Sequence, residues 1–226
     1  MEYGEVLKKL KSHANPKNVA GMARFGISSK NTLGVPIPTL RKMAKEIGKN
    51  HSLAQQLWRS GVHEARILAG MIDDSALVTE KQMEEWVRDF DSWDVCDQVC
   101  MNLFDKTEIA FKKAEEWAAR EEEFVKRAGF ALMASLAVHD KTSPDARFKK
   151  FFAHIKREAG DERNFVRKAV NWALRQIGKR NAKLNGKAIK IAEEIRKLKW
   201  KSAKWIAGDA LRELKEKRKT MAKGKR

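Results

Sequence analysis

The chain has 226 residues, 42% hydrophobic and 35% charged, enough for one large domain or an extended array with a continuous core. Its 48 Lys and Arg against 30 Asp and Glu give a formal net charge of +18, which predicts a polyanionic partner, nucleic acid ahead of an anionic membrane. No stretch approaches ~18 consecutive apolar residues, so no membrane span is expected.

Residues 1–10 lack the apolar run of a signal peptide. That predicts a cytoplasmic protein, associated with the nucleoid if the source is prokaryotic. Helical periodicity dominates and strand signals are nearly absent. Pro occurs only at positions 16, 36, 38 and 144. Residues 1–27 read as two short helices joined at Asn15-Pro16. Residues 28–38 read as a loop, with Pro38-Thr39 starting the next helix. Helices then follow in pairs: 39–48 and 51–59, 62–72 and 79–89, 92–104 and 107–119, 121–138 and 145–158. Three more cover 163–180, 185–197 and 200–218. Phe124-Val125-Lys126-Arg127-Ala128 returns forty-one residues later as Phe165-Val166-Arg167-Lys168-Ala169, with a weaker echo at Lys201-Ser202-Ala203. A period near 40 in an all-helical chain predicts a superhelical, right-handed-type stack of HEAT-like repeats with a concave basic face. We expect one α-solenoid domain over 1–214 and a basic, frayed tail over 215–226.

The helix opening at Asp91-Ser92 carries the first unusual pattern. Asp91 or Ser92 can cap its free N–H groups, and Asp94 suits the positive end of its dipole. Val95, Cys96, Val99, Cys100 and Leu103 form its apolar face. Trp93 and Asp97, four residues apart, share a side that the core does not need. The two cysteines have no further Cys or clustered His beside them, so they read as buried thiols. Neither metal nor cofactor is expected: there is no P-loop, no Gly-x-Gly-x-x-Gly, no Gly-x-Ser-x-Gly and no His-Glu-x-x-His.

Two later helices carry cation–indole stripes. On 163–180 the core face is Phe165, Val166, Ala169, Val170, Ala173 and Ile177, and the other side shows Lys168, Trp172, Arg175 and Lys179. On 200–214 the core face is Trp200, Ala203, Ala207, Ala210, Leu211 and Leu214, opposite Lys201, Trp205, Gly208 and Arg212. Arg66 and Gly70 align likewise on 62–72. Cations neutralise phosphates and exposed indoles stack on sugars or bases, so these stripes point to nucleic acid. Arg127 differs, because its helix is apolar nearly all round. An unpaired guanidinium there would be expensive. Two readings fit: an ion pair with a nearby carboxylate, or an arginine on the floor of a cleft.

Trp93-Asp94-Val95-Cys96-Asp97, Arg127 in its apolar helix, and Lys168-Ala169-Val170-Asn171-Trp172-Ala173-Leu174-Arg175, in that order, resemble the AlkD family of HEAT-repeat DNA alkylation-repair glycosylases. Met22-Ala23-Arg24-Phe25 and Leu33-Gly34-Val35 extend the likeness, which weakens after about residue 185. The resemblance implies a stack gripping duplex DNA and excising cationic purines alkylated at N3 or N7, without a cofactor or an obligate protein partner. It places the catalytic aspartate at Asp97, an aromatic beside it at Trp93, the arginine at Arg127 and a second cleft tryptophan at Trp172. Phe25 falls where the family often has a tyrosine, and Ser92-Trp93 replaces its usual tryptophan pair. The expected DNA contacts are Phe25, Arg66, Lys168, Trp172, Arg175, Lys179, Lys201, Trp205 and Arg212. A non-catalytic HEAT-like binder of damaged or structured nucleic acid would share the basic stripes but would not need Asp97.

Overall fold

A computed structural model of the chain describes residues 1–223, and their regular structure is entirely helical. The order is α1 (Tyr3–Ser12), α2 (Pro16–Ala23), α3 (Ile37–Ile47), α4 (His51–Arg59), α5 (His63–Ile72), α6 (Glu80–Arg88) and α7 (Trp93–Asn102). A 3-10 turn (Phe104–Lys106) follows, then α8 (Ala110–Trp117), α9 (Glu123–His139), α10 (Asp145–Glu158), α11 (Asn164–Lys179), α12 (Ala182–Arg196) and α13 (Lys201–Lys223). No helix among the described residues is long and apolar enough to cross a membrane.

Side-chain caps set several starts. Asn15, Asn50, Thr79 and Asn181 each accept a backbone N–H from the first turn of the helix they open. The Asn181 cap starts α12 three residues earlier than its apolar pattern suggests. Ser92 holds the N-cap position of α7, but its side chain makes no capping bond. Pro36 is the residue that precedes α3, so Ile37 and Pro38 already form its first turn. The basic tail is also helical as far as Lys223, where a frayed segment was expected. Residues 224–226 of that tail lie outside the described residues.

The chain divides into two compact units, Met1–Thr107 and Glu108–Arg226. In the first, α5 is the central helix and packs against α1, α3, α4 and α7. It is buried on nearly every side, from His63 to Ile72. Gly70 lets α7 come close, since a Cβ there would lie 3.1 Å from a Val99 methyl. Beside it Trp58 and Trp86 stack face to face, ring centroids 4.0 Å apart, with Phe90 and Phe104 around them. Stacked aromatics of this kind contribute about 0.5–1.5 kcal/mol beyond the area they bury.

In the second unit α9 is the buried helix, with every residue from Val125 to Ala137 inside. Gly129 is required where α8 crosses it, because a Cβ would fall 2.3 Å from the Ala118 nitrogen. The forty-one-residue repeat is visible as geometry: Phe124 of α9 and Phe165 of α11 stack at 5.6 Å. The contacts arrange α9, α11 and α13 as one layer and α8, α10 and α12 as the other. One expected core residue is displaced. Trp200 is 45% exposed, because it precedes α13 and escapes its helical register. Its indole lies against Gly160, with the Lys199 ammonium 4.6 Å from the ring. Ser202 and Ile206 are buried on α13 instead.

Candidate functional site

Within the first unit, α7 divides its residues as its periodicity requires. Val95, Cys96, Val99 and Cys100 are buried, while Trp93, Asp97 and Gln98 are half-buried on its other sides. Both cysteines are free thiols, and burial pushes the Cys100 thiol well above its ordinary value. The Trp93 indole Nε1 donates to the Phe25 carbonyl at 3.1 Å, which ties the turn after α2 to the start of α7. Phe25 itself is 68% exposed. Phe25 and Trp93 both line a cavity of about 470 Å3, with Met22, Val35, Ile67 and His63 among its other walls.

Two residues that sequence reasoning passed over hold this region together. Glu64, buried at the start of α5, accepts the N–H groups of Leu33, Gly34 and Val35 at 2.8, 2.6 and 3.3 Å. One carboxylate thereby pins the loop that follows Phe25. Gly34 turns there with φ +77°, and a Cβ would collide with the Asn15 carbonyl at 2.3 Å. Next to Glu64, His63 Nε2 lies 2.8 Å from Asp94 Oδ2, so Asp94 has a partner besides the helix start. Burial pushes the His63 imidazole down, but the Asp94 hydrogen bond and charge raise it above its ordinary value overall. Burial likewise pushes Asp94 up, and His63 brings its carboxyl below the ordinary range.

Arg66 has company of a structural kind. Its guanidinium sits 5.2 Å from the Trp58 ring, and Nη1 donates to the Asp89 carbonyl at 3.0 Å. Its side chain is therefore directed to the end of α6, and Gly70 serves the approach of Val99 to α5.

The second unit holds the remaining expected residues. Arg127 is only 5% exposed on α9, and its Nη1 donates to the Phe165 carbonyl at 2.6 Å. That bond anchors the start of α11, the helix that carries Lys168 and Trp172. Beside it Lys126, also buried, pairs with Glu158 at 2.7 Å and Asp161 at 3.7 Å. Lys168 is exposed and Trp172 half-buried. Further along the stripe the cations are matched by carboxylates of α13. Arg175 reaches Glu213 at 2.6 Å and Asp209 at 3.3 Å, and Lys179 reaches Glu213 at 2.6 Å. Arg212 pairs with Asp209 in turn. Burial pushes Glu213 up, but Lys179 and Arg175 hold it below the usual carboxylate range. Lys201 and Trp205 are exposed, with the Arg167 guanidinium 5.2 Å from the Trp205 ring. The stripe cations that make no ion pair with a described residue are thus Lys168 and Lys201, flanked by Trp172 and Trp205, whereas Arg175, Lys179 and Arg212 are matched by carboxylates of α13. Among the described residues no group of three or more His, Cys, Asp or Glu could hold a metal ion.

A family model described as DNA alkylation repair enzyme matches residues 6–217, nearly the whole sequence. One solved structure is similar over 96% of both chains, with a TM-score of 0.82 and 21% identity. It is described as belonging to a new family of proteins related to the HEAT-like repeat DNA glycosylases with affinity for branched DNA structures. That similarity establishes the all-α HEAT-like fold. No curated protein matches the chain.

Proposed function

The chain belongs to the DNA alkylation repair enzyme family, and on that footing we propose that it excises cationic N3- and N7-alkylated purines from duplex DNA by hydrolysis. The observation that carries this reading is α7, which keeps Asp97 and Trp93 off its buried face and fixes the indole to the backbone beside exposed Phe25.

Alkylation at N3 or N7 gives the base a positive charge, so its bond to C1′ is already weakened and needs no strong general acid. The bond breaks with its electron pair going to the purine, which leaves neutral. Positive charge develops on the sugar, where the fixed Asp97 carboxylate stabilises it and positions a water. Water adds to C1′ and releases a proton. Trp93, Phe25 and Trp172 offer π faces to a cationic base or a sugar, at about 0.5–2 kcal/mol each. Arg127 positions the start of α11, and exposed Lys168 and Lys201 supply phosphate contacts. The remaining expected contacts, Arg66, Arg175, Lys179 and Arg212, stay in this reading as weaker contributors, since each has a protein partner. Asp97→Asn is expected to keep DNA affinity while release of methylated base falls at least a hundredfold. Full base release by that variant on methylated duplex overturns the assignment.

A second reading follows from the branched-DNA affinity of the similar structure. A non-catalytic binder of structured nucleic acid would use the same exposed lysines and indoles. Tight binding to duplex or junction DNA, with no abasic product from any methylated substrate, selects it.

A further inference from the structure

The cations of the second unit that make no ion pair lie largely away from the expected stripes. A groove of about 620 Å3 runs between α10, α12 and α13, lined by Lys149, Lys183, Lys187, Lys190 and Arg218 with Glu193 its single carboxylate. All five cations are exposed. None of them forms an ion pair with a described residue, whereas Arg175, Lys179 and Arg212 of the stripes all do. Lys183, Lys187 and Lys190 follow one another at four and three residues, so they share a helix face where like charges repel. An anion laid along them relieves that repulsion. The three span roughly 10 Å of helix axis, matching about three nucleotides of one DNA strand at 3.4 Å each.

The groove does not belong to the surface that carries Lys168 and Trp172. Four of its five cations stand on α10 and α12, the layer opposite α11 and its stripe, and only Arg218 comes from α13. On α13, Arg218 is turned roughly 220° from Trp205 at 100° per residue. A straight duplex held against Trp172 and Trp205 therefore leaves this groove open.

We propose that the groove is a second DNA-backbone site, which takes the phosphates of a duplex arm other than the one held on the α11 and α13 stripes. One molecule then holds two arms. The inference rests on the reading that the chain binds DNA, and does not require that it excise bases. Charge complementarity selects the occupant: five cations with one carboxylate suit a polyphosphate, and the lining holds no aromatic side chain on which a base could stack.

The test compares a four-way junction with one of its linear arms by fluorescence anisotropy across a salt series. Lys149→Gln/Lys187→Gln/Lys190→Gln is expected to bind the linear arm within about twofold of the unsubstituted protein, and the junction at least tenfold more weakly. Its log–log salt slope on the junction should be shallower by about 2–3, close to one for each phosphate that the variant leaves without a cation. Lys168→Ala/Lys201→Ala should weaken both substrates. Lys187→Gln/Arg218→Gln repeats the measurement from a different helix pair if the triple variant melts early. Unchanged junction affinity and slope in both groove variants overturns the proposal. So does loss of binding to phosphatidylserine vesicles with DNA binding intact, which would assign the groove to a membrane surface. If the unsubstituted protein binds neither substrate at low salt, the DNA-binding premise itself fails. If it binds both but releases no base, only the glycosylase reading fails.

Discussion

Arg175 and Lys179 of α11 donate to opposite oxygens of one carboxylate, Glu213 of α13, each at 2.6 Å. The pair of helices is thereby cross-linked, and two cations of the expected DNA stripe are occupied. All three groups are about one-third exposed, so the contribution to stability is about 0–1 kcal/mol in total. Their effect on DNA binding is larger. Glu213→Gln removes the shared anion, which releases Lys179 and leaves Arg175 with Asp209 alone. Duplex affinity at low salt should rise about threefold to tenfold, with the salt slope steeper by about 1. Equilibrium binding across a salt series measures both, and an unchanged slope would show that the α11 cations lie away from the DNA.

Gly129 offers a test of the α8–α9 crossing. With the Ala118 nitrogen 2.3 Å from a Cβ built there, Gly129→Ala forces two backbones apart. A loss of about 1–3 kcal/mol is expected from overpacking, read in urea melts. Gly186 makes the contrast, since a Cβ there meets nothing within 4 Å. Gly186→Ala, in the interior of α12, should stabilise by about 0.5–1 kcal/mol through helix propensity alone.

The contrast between what was legible in the sequence and what was not follows the range of the interactions. Helix positions depend on apolar spacing and on chemistry within a few residues, so α4, α5, α6 and α7 begin within one residue of the starts that the patterning gives. The faces of α7 and α11 follow from the same periodicity, and Val95, Cys96, Val170 and Ile177 are indeed buried. Arg127 stands out because a single charge interrupts an apolar run, and it is inside. The partners of surface cations are another matter. Glu213 is 38 residues from Arg175, and Asp94 is 31 from His63. No local pattern marks such pairs. Arg66 reads as a phosphate contact because its neighbour Gly70 suggests close approach, yet that approach is made by Val99. Trp200 misleads for a simpler reason: it lies just outside its helix, where helical periodicity does not hold.

Glu64 is expected to control the order of the region around Phe25. Its carboxylate serves three consecutive N–H groups, and Glu64→Gln keeps one acceptor oxygen while introducing two donors among them. Removal of the charged acceptor should cost about 1.5–3 kcal/mol. The local consequence is a released loop at Leu33–Val35, seen as faster hydrogen exchange at those amides. Exchange at the Leu68 and Ala69 amides, in the interior of α5, should rise only with the global stability loss. If the loop amides keep their protection in the variant, the loop is held without Glu64 by the Asn15 N–H and Asn18 Nδ2, which donate to the Leu33 and Gly34 carbonyls at 2.7 and 2.8 Å.

The His63–Asp94 pair should impose a pH dependence whose sign is set by both partners. His63 is held above its ordinary value of 6.5 in the folded chain. Its contribution is therefore complete below the unfolded value and is lost as pH rises through the folded one. Asp94 is held below its ordinary value of 3.8. Its contribution is complete above the unfolded value and is lost as pH falls through the folded one. The pair thus stabilises most between those two ordinary values, and the unfolding midpoint should fall as pH is raised from about 6 to about 9. His63→Gln should remove that decline, costing about 1.5–3 kcal/mol near pH 6 and less at pH 9. His154 supplies a control of opposite sign. Burial and Arg157 lower its value, so its effect is a loss of stability as pH falls. His154→Gln should flatten the acid side of the profile and leave the alkaline decline in place. A decline between pH 6 and 9 that survives His63→Gln would place its origin in another group.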